Sequence, residues 1–145
     1  VTVRRAVLAD APAIAKLAVQ AWPETPFQTP MPSAAFMVSA MQRVASDERQ
    51  AAFLLLDEAE EPMGIFAGIH FQHPFAGHQI VSELMLWVAP EARGYGLQLL
   101  AAAEDWARAR QADELHCYAH TPDLERLYAL AKFRPLERTY VRDLR

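Results

Sequence analysis

The stretch Glu83-Leu-Met-Leu-Trp-Val-Ala-Pro-Glu-Ala-Arg-Gly-Tyr-Gly-Leu-Gln-Leu-Leu100 holds the densest chemistry in this sequence. A nearly unbroken apolar run enters a turn with two glycines, and Leu97, Leu99 and Leu100 open a helix behind it. Glycines in such a turn let backbone N–H groups approach a ligand, and a helix N-terminus adds about half a positive charge. That combination suits phosphate or pyrophosphate. Arg93, beside Gly94, Tyr95 and Gly96, supplies a full charge as well. The same residues also describe a plain strand–turn–helix connection whose glycines only fit the turn. The turn is not a P-loop, because no Gly-Lys-Ser/Thr follows, and it lacks the third glycine of a dinucleotide fingerprint.

Three further residues could move protons. Glu83 is the lone carboxylate in an otherwise apolar strand, where desolvation would raise its pKa toward a proton-accepting range. It would serve equally well as a strand-end carboxylate reaching solvent or pairing an arginine. Tyr128 shares a helical apolar stripe with Leu124 and Leu127, so a plain core aromatic also fits it. His120 ends a short strand whose alternation places His116, Tyr118 and His120 on one face, and strand C-terminal ends are where α/β sheets gather ligands. Cys117 projects from the opposite face and reads as an inert core thiol. His70, His73 and His78 lie across a Pro/Gly loop with no Asp, Glu or Cys spaced to complete a site, so no metal is expected.

Several elements must position these residues. Residues 2–5 predict a strand, and Asp10 caps a helix over 11–22 with Ile14, Leu17, Ala18 and Ala21 at helical spacing. Residues 22–32 hold Pro23, Pro26, Pro30 and Pro32, too much proline for a helix or central strand. A second helix over 33–46 buries Phe36, Met37, Ala40, Met41 and Val44. Residues 52–57 and 63–71 form a hairpin, and 80–88 a central strand apolar on both faces. Strict alternation in that strand puts Val81, Glu83, Met85 and Trp87 on one face and Ile80, Ser82, Leu84, Leu86 and Val88 on the other. A helix to about residue 111, a strand over 114–119, a helix over 122–131 and a closing strand over 134–144 complete a mixed α/β order.

Composition narrows the class. At 145 residues, 52% of them hydrophobic, the chain predicts a single domain over 1–145 with one sizeable core. No apolar run approaches the ~20 residues that cross a bilayer, and no secretory leader is read, so a soluble cytoplasmic protein without a membrane partner is expected. One cysteine excludes an internal disulfide and a multi-cysteine zinc site. The net charge of −4 argues against a nucleic-acid partner and leaves amines open.

With the turn in view, the sequence resembles the GNAT-type N-acetyltransferases over nearly its whole length. That family carries Gln/Arg-x-x-Gly-x-Gly/Ala where the acetyl-CoA pyrophosphate sits. Here Glu91-Ala92-Arg93-Gly94-Tyr95-Gly96 matches both glycines, with Glu91 at the first position; starting the motif at Arg93 places Gln98 at the last. A carboxylate beside a pyrophosphate is repulsive, so Glu91 is expected to face outward and Arg93 to face the ligand. Arg126-Leu-Tyr128-Ala-Leu-Ala-Lys132-Phe133 resembles the family's closing segment, with Lys132 in place of its glycine.

The resemblance implies a GNAT-like acyl-CoA N-acyltransferase fold, a central mixed β-sheet with helices on both faces. It implies acetyl transfer from acetyl-CoA to a small-molecule or protein amine by direct attack, without a metal. Backbone groups of Leu86, Trp87 and Val88 would hold the pantetheine arm, and Arg93, Gly94, Tyr95, Gly96 and Leu97 the pyrophosphate. Tyr128 would protonate the departing thiolate, a phenol pKa near ~10 lying close to a thiol's ~8.5. Glu83, with His120 second, would take the amine's proton. Loops 22–32 and 72–79, with Trp22, Phe27, His73 and Phe75, would wall the acceptor pocket. A homodimer is left open, since many relatives pair. The rival readings are a degenerate domain that binds acyl-CoA without catalysis and an enzyme with a different acyl donor.

Overall fold

The computed structural model describes residues 1–145. Its five-stranded sheet runs β1 (Thr2–Arg5), β2 (Gln50–Leu56), β3 (Pro62–Gln72), β4 (Gln79–Val88) and β5 (Glu114–His116) in sequence order across the sheet. All neighbours are antiparallel except β4 and β5, which are parallel. Helices α1 (Ala11–Ala21) and α2 (Ala34–Ser46) pack on one face, and α3 (Gly96–Ala109) and α4 (Pro122–Leu130) on the other. The mixed sheet with helices on both faces is the architecture the sequence implies.

Two cores follow from that layering. Ile14, Leu17 and Ala21 of α1 meet Ala52, Leu54 and Leu56 of β2, while Phe53 and Leu55, pointing the other way, meet Leu99, Ala103 and Trp106 of α3. The residues of β2 from Ala51 to Leu56 are therefore buried on both faces, which is why that strand reads as continuously apolar. On α2 only Met41 is fully buried; Phe36 lies exposed with the Arg43 guanidinium over its ring. Ser33 caps α2 by accepting the Phe36 N–H. Asp10 does not cap α1: its carboxylate accepts the Val7 N–H and pairs with Arg4 at 2.8 Å, closing the short 3₁₀ turn before the helix.

Two expectations about strands are corrected. Strict alternation fails in β4, because Ala67 pairs with Met85 while Gly68 pairs with Glu83, leaving Leu84 as an extra residue. A β-bulge inserts one residue and exchanges the faces beyond it. Val81 and Glu83 thus share a face with Leu86 and Val88 above α3 and α4, whereas Met85 and Trp87 turn toward α1. Leu84 is 51% exposed. The closing strand expected over 134–144 does not form either, and residues 134–145 make no backbone–backbone hydrogen bond. The outer edge of the three-residue β5 stays unpaired, and no backbone hydrogen bond joins the last segment to it.

The bulge predicts an asymmetry between two leucines two residues apart. Leu84→Ala is expected to change unfolding free energy by less than about 0.5 kcal/mol, and Leu86→Ala, 5% exposed, to cost about 2–5 kcal/mol. Urea denaturation of both variants checks this; equal losses would contradict the register.

Candidate active site

Beyond Ser82, β4 has no strand on its β5 side, since only Ile80, Val81 and Ser82 pair across that edge. The two strands splay, and a groove opens between them that continues over α3, α4 and residues 131–139, about 1500 Å³ in all. One wall is the second half of β4, from Glu83 to Trp87, and the other is Cys117 to His120. Two features of the sequence create the opening. The bulge at Leu84 bends β4, and Ala119, His120, Thr121 and Pro122 lead away from the sheet into α4.

Glu83 and Tyr128, proposed separately as base and acid, touch. The Tyr128 hydroxyl donates to Glu83 Oε2 at 2.8 Å, and the Tyr118 backbone N–H donates to the same oxygen at 3.1 Å. Tyr128 also stands 3.3 Å from the Tyr118 carbonyl. Both side chains are buried, Glu83 at 9% and Tyr128 at 7% exposure. Desolvation pushes the Glu83 carboxyl above its ordinary range, although Tyr118, Tyr128 and Cys117 all favour its charged form. Burial, reinforced by the Glu83 charge, pushes the Tyr128 phenol and the Cys117 thiol well above theirs. Cys117 therefore keeps the unreactive character expected of it, but it lies against Glu83 within the groove wall. Tyr128 is held by α4, which Thr121 caps through the Leu124 N–H and whose Leu127 packs on Gly96 of α3.

The glycine turn lies outside the groove's lining and is tied to it through Glu24, which holds both Arg93 and the lining residue Trp87. It is a 3₁₀ segment, Pro90–Tyr95, running directly into α3, and neither glycine has a positive φ. Their use is clearance rather than backbone handedness. A Cβ at Gly96 would meet Leu127 at 3.2 Å, whereas one at Gly94 would meet nothing within 4 Å. Tyr95, the residue before α3, makes no side-chain cap bond, which leaves first-turn N–H groups of α3 without a side-chain partner. Tyr95 and Leu97 are exposed, and Glu91 faces solvent as expected. Leu86, Trp87 and Val88 are buried at the end of β4, with the Val88 carbonyl 3.4 Å from Arg93 Nε. These residues fit an anion with an extended arm: a guanidinium, a helix N-terminus with no side-chain cap and an open approach at Gly94.

The residue that sequence reading missed is Glu24. Its Oε2 accepts from Arg93 Nη2 at 2.5 Å and from Trp87 Nε1 at 3.1 Å, and its backbone carbonyl accepts from His120 Nε2 at 2.9 Å. Glu24 thereby joins three expected site residues separated from it by 63, 69 and 96 positions. No local pattern marks it; the only signal was its place in the proline-rich segment 22–32. His120 is tied there and makes no hydrogen bond to Glu83, although both line the groove and its charge favours the ionised Glu83 carboxylate. Of the two loops expected to wall an acceptor pocket, Thr25, Pro26 and Phe27 line the groove. The loop over 72–79 joins β3 to the start of β4, at the far end of that strand from Trp87; Phe75 there is 97% exposed and His73 stacks on His78. Among His, Cys, Asp and Glu side chains, no group of three or more has metal-holding geometry.

Burial of Glu83 gives a pH signature. Because its folded pKa lies above its unfolded value, the native state binds more protons across that interval, and its contribution to stability falls as pH rises through it. Glu83→Gln is expected to remove this component. Melting temperatures measured from pH 4 upward should therefore fall less steeply in the variant over the interval above the ordinary glutamate pKa; parallel curves would contradict the assignment.

The comparisons with known proteins agree with this fold. The chain matches the model of the acetyltransferase (GNAT) family over residues 12–133. Among curated proteins none matches the chain in sequence. A probable acetyltransferase of known structure superposes with a TM-score of 0.80 at 14% identity, covering 100% of this chain and 99% of its own. The aminoglycoside acetyltransferase AAC(6')-Iy, solved with a bisubstrate analogue CoA-S-monomethyl-acetylneamine, gives 0.78 at 16% identity, covering 99% and 97%. A ribosomal-protein-alanine N-acetyltransferase from Brucella melitensis gives 0.73 at 18%, covering 99% and 100%. With its family model spanning α1 through α4 and its sheet and groove built as described, the chain belongs to the acetyltransferase (GNAT) family.

Proposed function

We infer that the protein transfers an acetyl group from acetyl-CoA to a small-molecule amine. One observation carries the reading: a buried, hydrogen-bonded carboxylate–phenol pair lines a groove, and Glu24 on that groove ties it to the arginine at the uncapped N-terminus of α3. Arg93 and the N-terminus of α3 would hold the pyrophosphate, and the open edge of β4 from Leu86 to Val88 the pantetheine arm. The acetyl thioester supplies an electrophilic carbonyl and a thiolate leaving group. A small-molecule acceptor is favoured by likeness to AAC(6')-Iy, a structure solved with an acetylneamine analogue.

The pairing of Glu83 and Tyr128 changes how the proton is handled. Direct attack requires one proton to leave the amine and one to reach the thiolate. Tyr128 alone is a poor acid here, since burial and the adjacent negative charge both hold its proton. Once Glu83 has taken the amine's proton, its charge is gone and that restraint lifts. Tyr128 then gives its proton to the thiolate and recovers one from Glu83. The two residues act as a relay, with one proton taken in, one delivered and no net change in the pair.

Two outcomes test the assignment. Saturating acetyl-CoA, about 100-fold above Kd, is expected to raise the melting temperature by roughly 5–10 °C. No shift with acetyl-CoA or other acyl-CoAs would remove the enzyme reading in favour of a non-catalytic module. In a thiol-release assay across an amine panel, Tyr128→Phe should lose about 100-fold or more in turnover while the shift with acetyl-CoA persists; unchanged turnover would reject its role.

A further inference from the structure

Arg93 is the cationic group offered to the pyrophosphate, yet in this structure it is already engaged by an anion. Glu24 Oε2 lies 2.5 Å from its Nη2, and Asp123 stands 3.7 Å from its Nη1. Glu24 belongs to the segment that brings Thr25, Pro26 and Phe27 to the groove. The same carboxylate oxygen also accepts from the indole of Trp87, and the Glu24 carbonyl accepts from His120, so one residue bridges both walls of the opening. The anion-binding arginine and the acceptor-side loop are thus joined through a single carboxylate.

We propose that Glu24 is a positioning residue coupling the two substrates: it neutralises Arg93 in the empty protein, and when the pyrophosphate claims Arg93 it is released to receive an ammonium group of the acceptor other than the amine that reacts. The inference rests on the acetyltransferase reading of the groove. A carboxylate and a pyrophosphate cannot share one guanidinium without repulsion, so cofactor binding must displace Glu24 or compete with it. Once displaced, Glu24 is an unneutralised carboxylate beside Trp87, on the side of the groove where loop 22–32 meets solvent, and a cationic amine restores the balance. Coupling of this kind is reciprocal: whatever factor the cofactor contributes to amine affinity, the amine contributes to cofactor affinity.

The sign of the effect separates this role from a structural one. Glu24→Gln keeps the side-chain oxygen that accepts from Trp87 and removes only the charge. Titration calorimetry should show CoA binding about twofold to fivefold tighter in Glu24→Gln than in the wild type, the scale of an exposed ion pair. Loss of a merely structural contact would weaken binding instead. Putrescine, spermidine and neamine are then titrated into the protein with and without saturating CoA. At least one should bind the wild type more tightly when CoA is present, and Glu24→Gln should abolish that difference. CoA affinity equal or weaker in the variant, coupling that survives the substitution, or no amine favoured by CoA would each overturn the proposal. If the wild type binds no CoA, the acetyltransferase reading falls with it; if CoA binds and only the Glu24 signature is missing, that reading stands.

Discussion

Where β3 meets β4, Ala67 pairs with Met85 and Gly68 with Glu83, so Leu84 has no partner across the ladder. This one-residue mismatch sets the face on which every site residue of β4 lies. Without it, Glu83 would share the α1-facing side with Met85 and Trp87, away from Tyr128. With it, the carboxylate faces α4, where the phenol reaches it at 2.8 Å. The bulge also bends β4 at the point where β5 ceases to pair, so the register that positions the carboxylate helps open the groove beside it. A sheet paired in full along β4 and β5 would have no room for an extended ligand arm.

The rest of the site follows from supports at a distance. Tyr128 is held by α4, α4 by the contact of Leu127 with Gly96, and Gly96 opens α3 at the glycine turn. The helix that carries Tyr128 and the glycine turn therefore share one packing contact. Glu24 adds a second link across the same opening through Trp87, Arg93 and His120. Buried polar groups are costly unless satisfied, and no buried side-chain nitrogen or oxygen here lacks a hydrogen-bond partner. Glu83 has its partners in Tyr118 and Tyr128, which makes its burial tolerable and its raised pKa an expression of the site.

Much of this was readable in the sequence. Helical spacing of Ile14, Leu17 and Ala21, or of Leu99, Ala103 and Trp106, reports directly on burial, so the helices and the layering were legible. Glu83 stood out as a lone carboxylate in an apolar strand, and Arg93 with Gly94 and Gly96 as an anion-binding turn. Alternation misplaced Leu84 because a bulge is a property of two strands, and no single-strand pattern encodes it. The strand expected over 134–144 is absent because a strand exists only as a paired partner, and that pairing is not local either. Glu24 was invisible for the same reason: its contacts lie 63 to 96 residues away. The glycines stood out as room for a close approach to the backbone; neither has a positive φ, a Cβ at Gly96 would press on Leu127, and the space at Gly94 is open.

The central claim is that Glu83 and Tyr128 work as one proton relay, and a double-mutant cycle tests it most directly. Turnover is measured by thiol release for the wild type, Glu83→Gln, Tyr128→Phe and the double variant at one pH. A relay is broken by losing either member, so the double variant should be no slower than the slower single variant. If the two losses multiply, each residue contributes separately, and the account of a single hydrogen-bonded pair is contradicted.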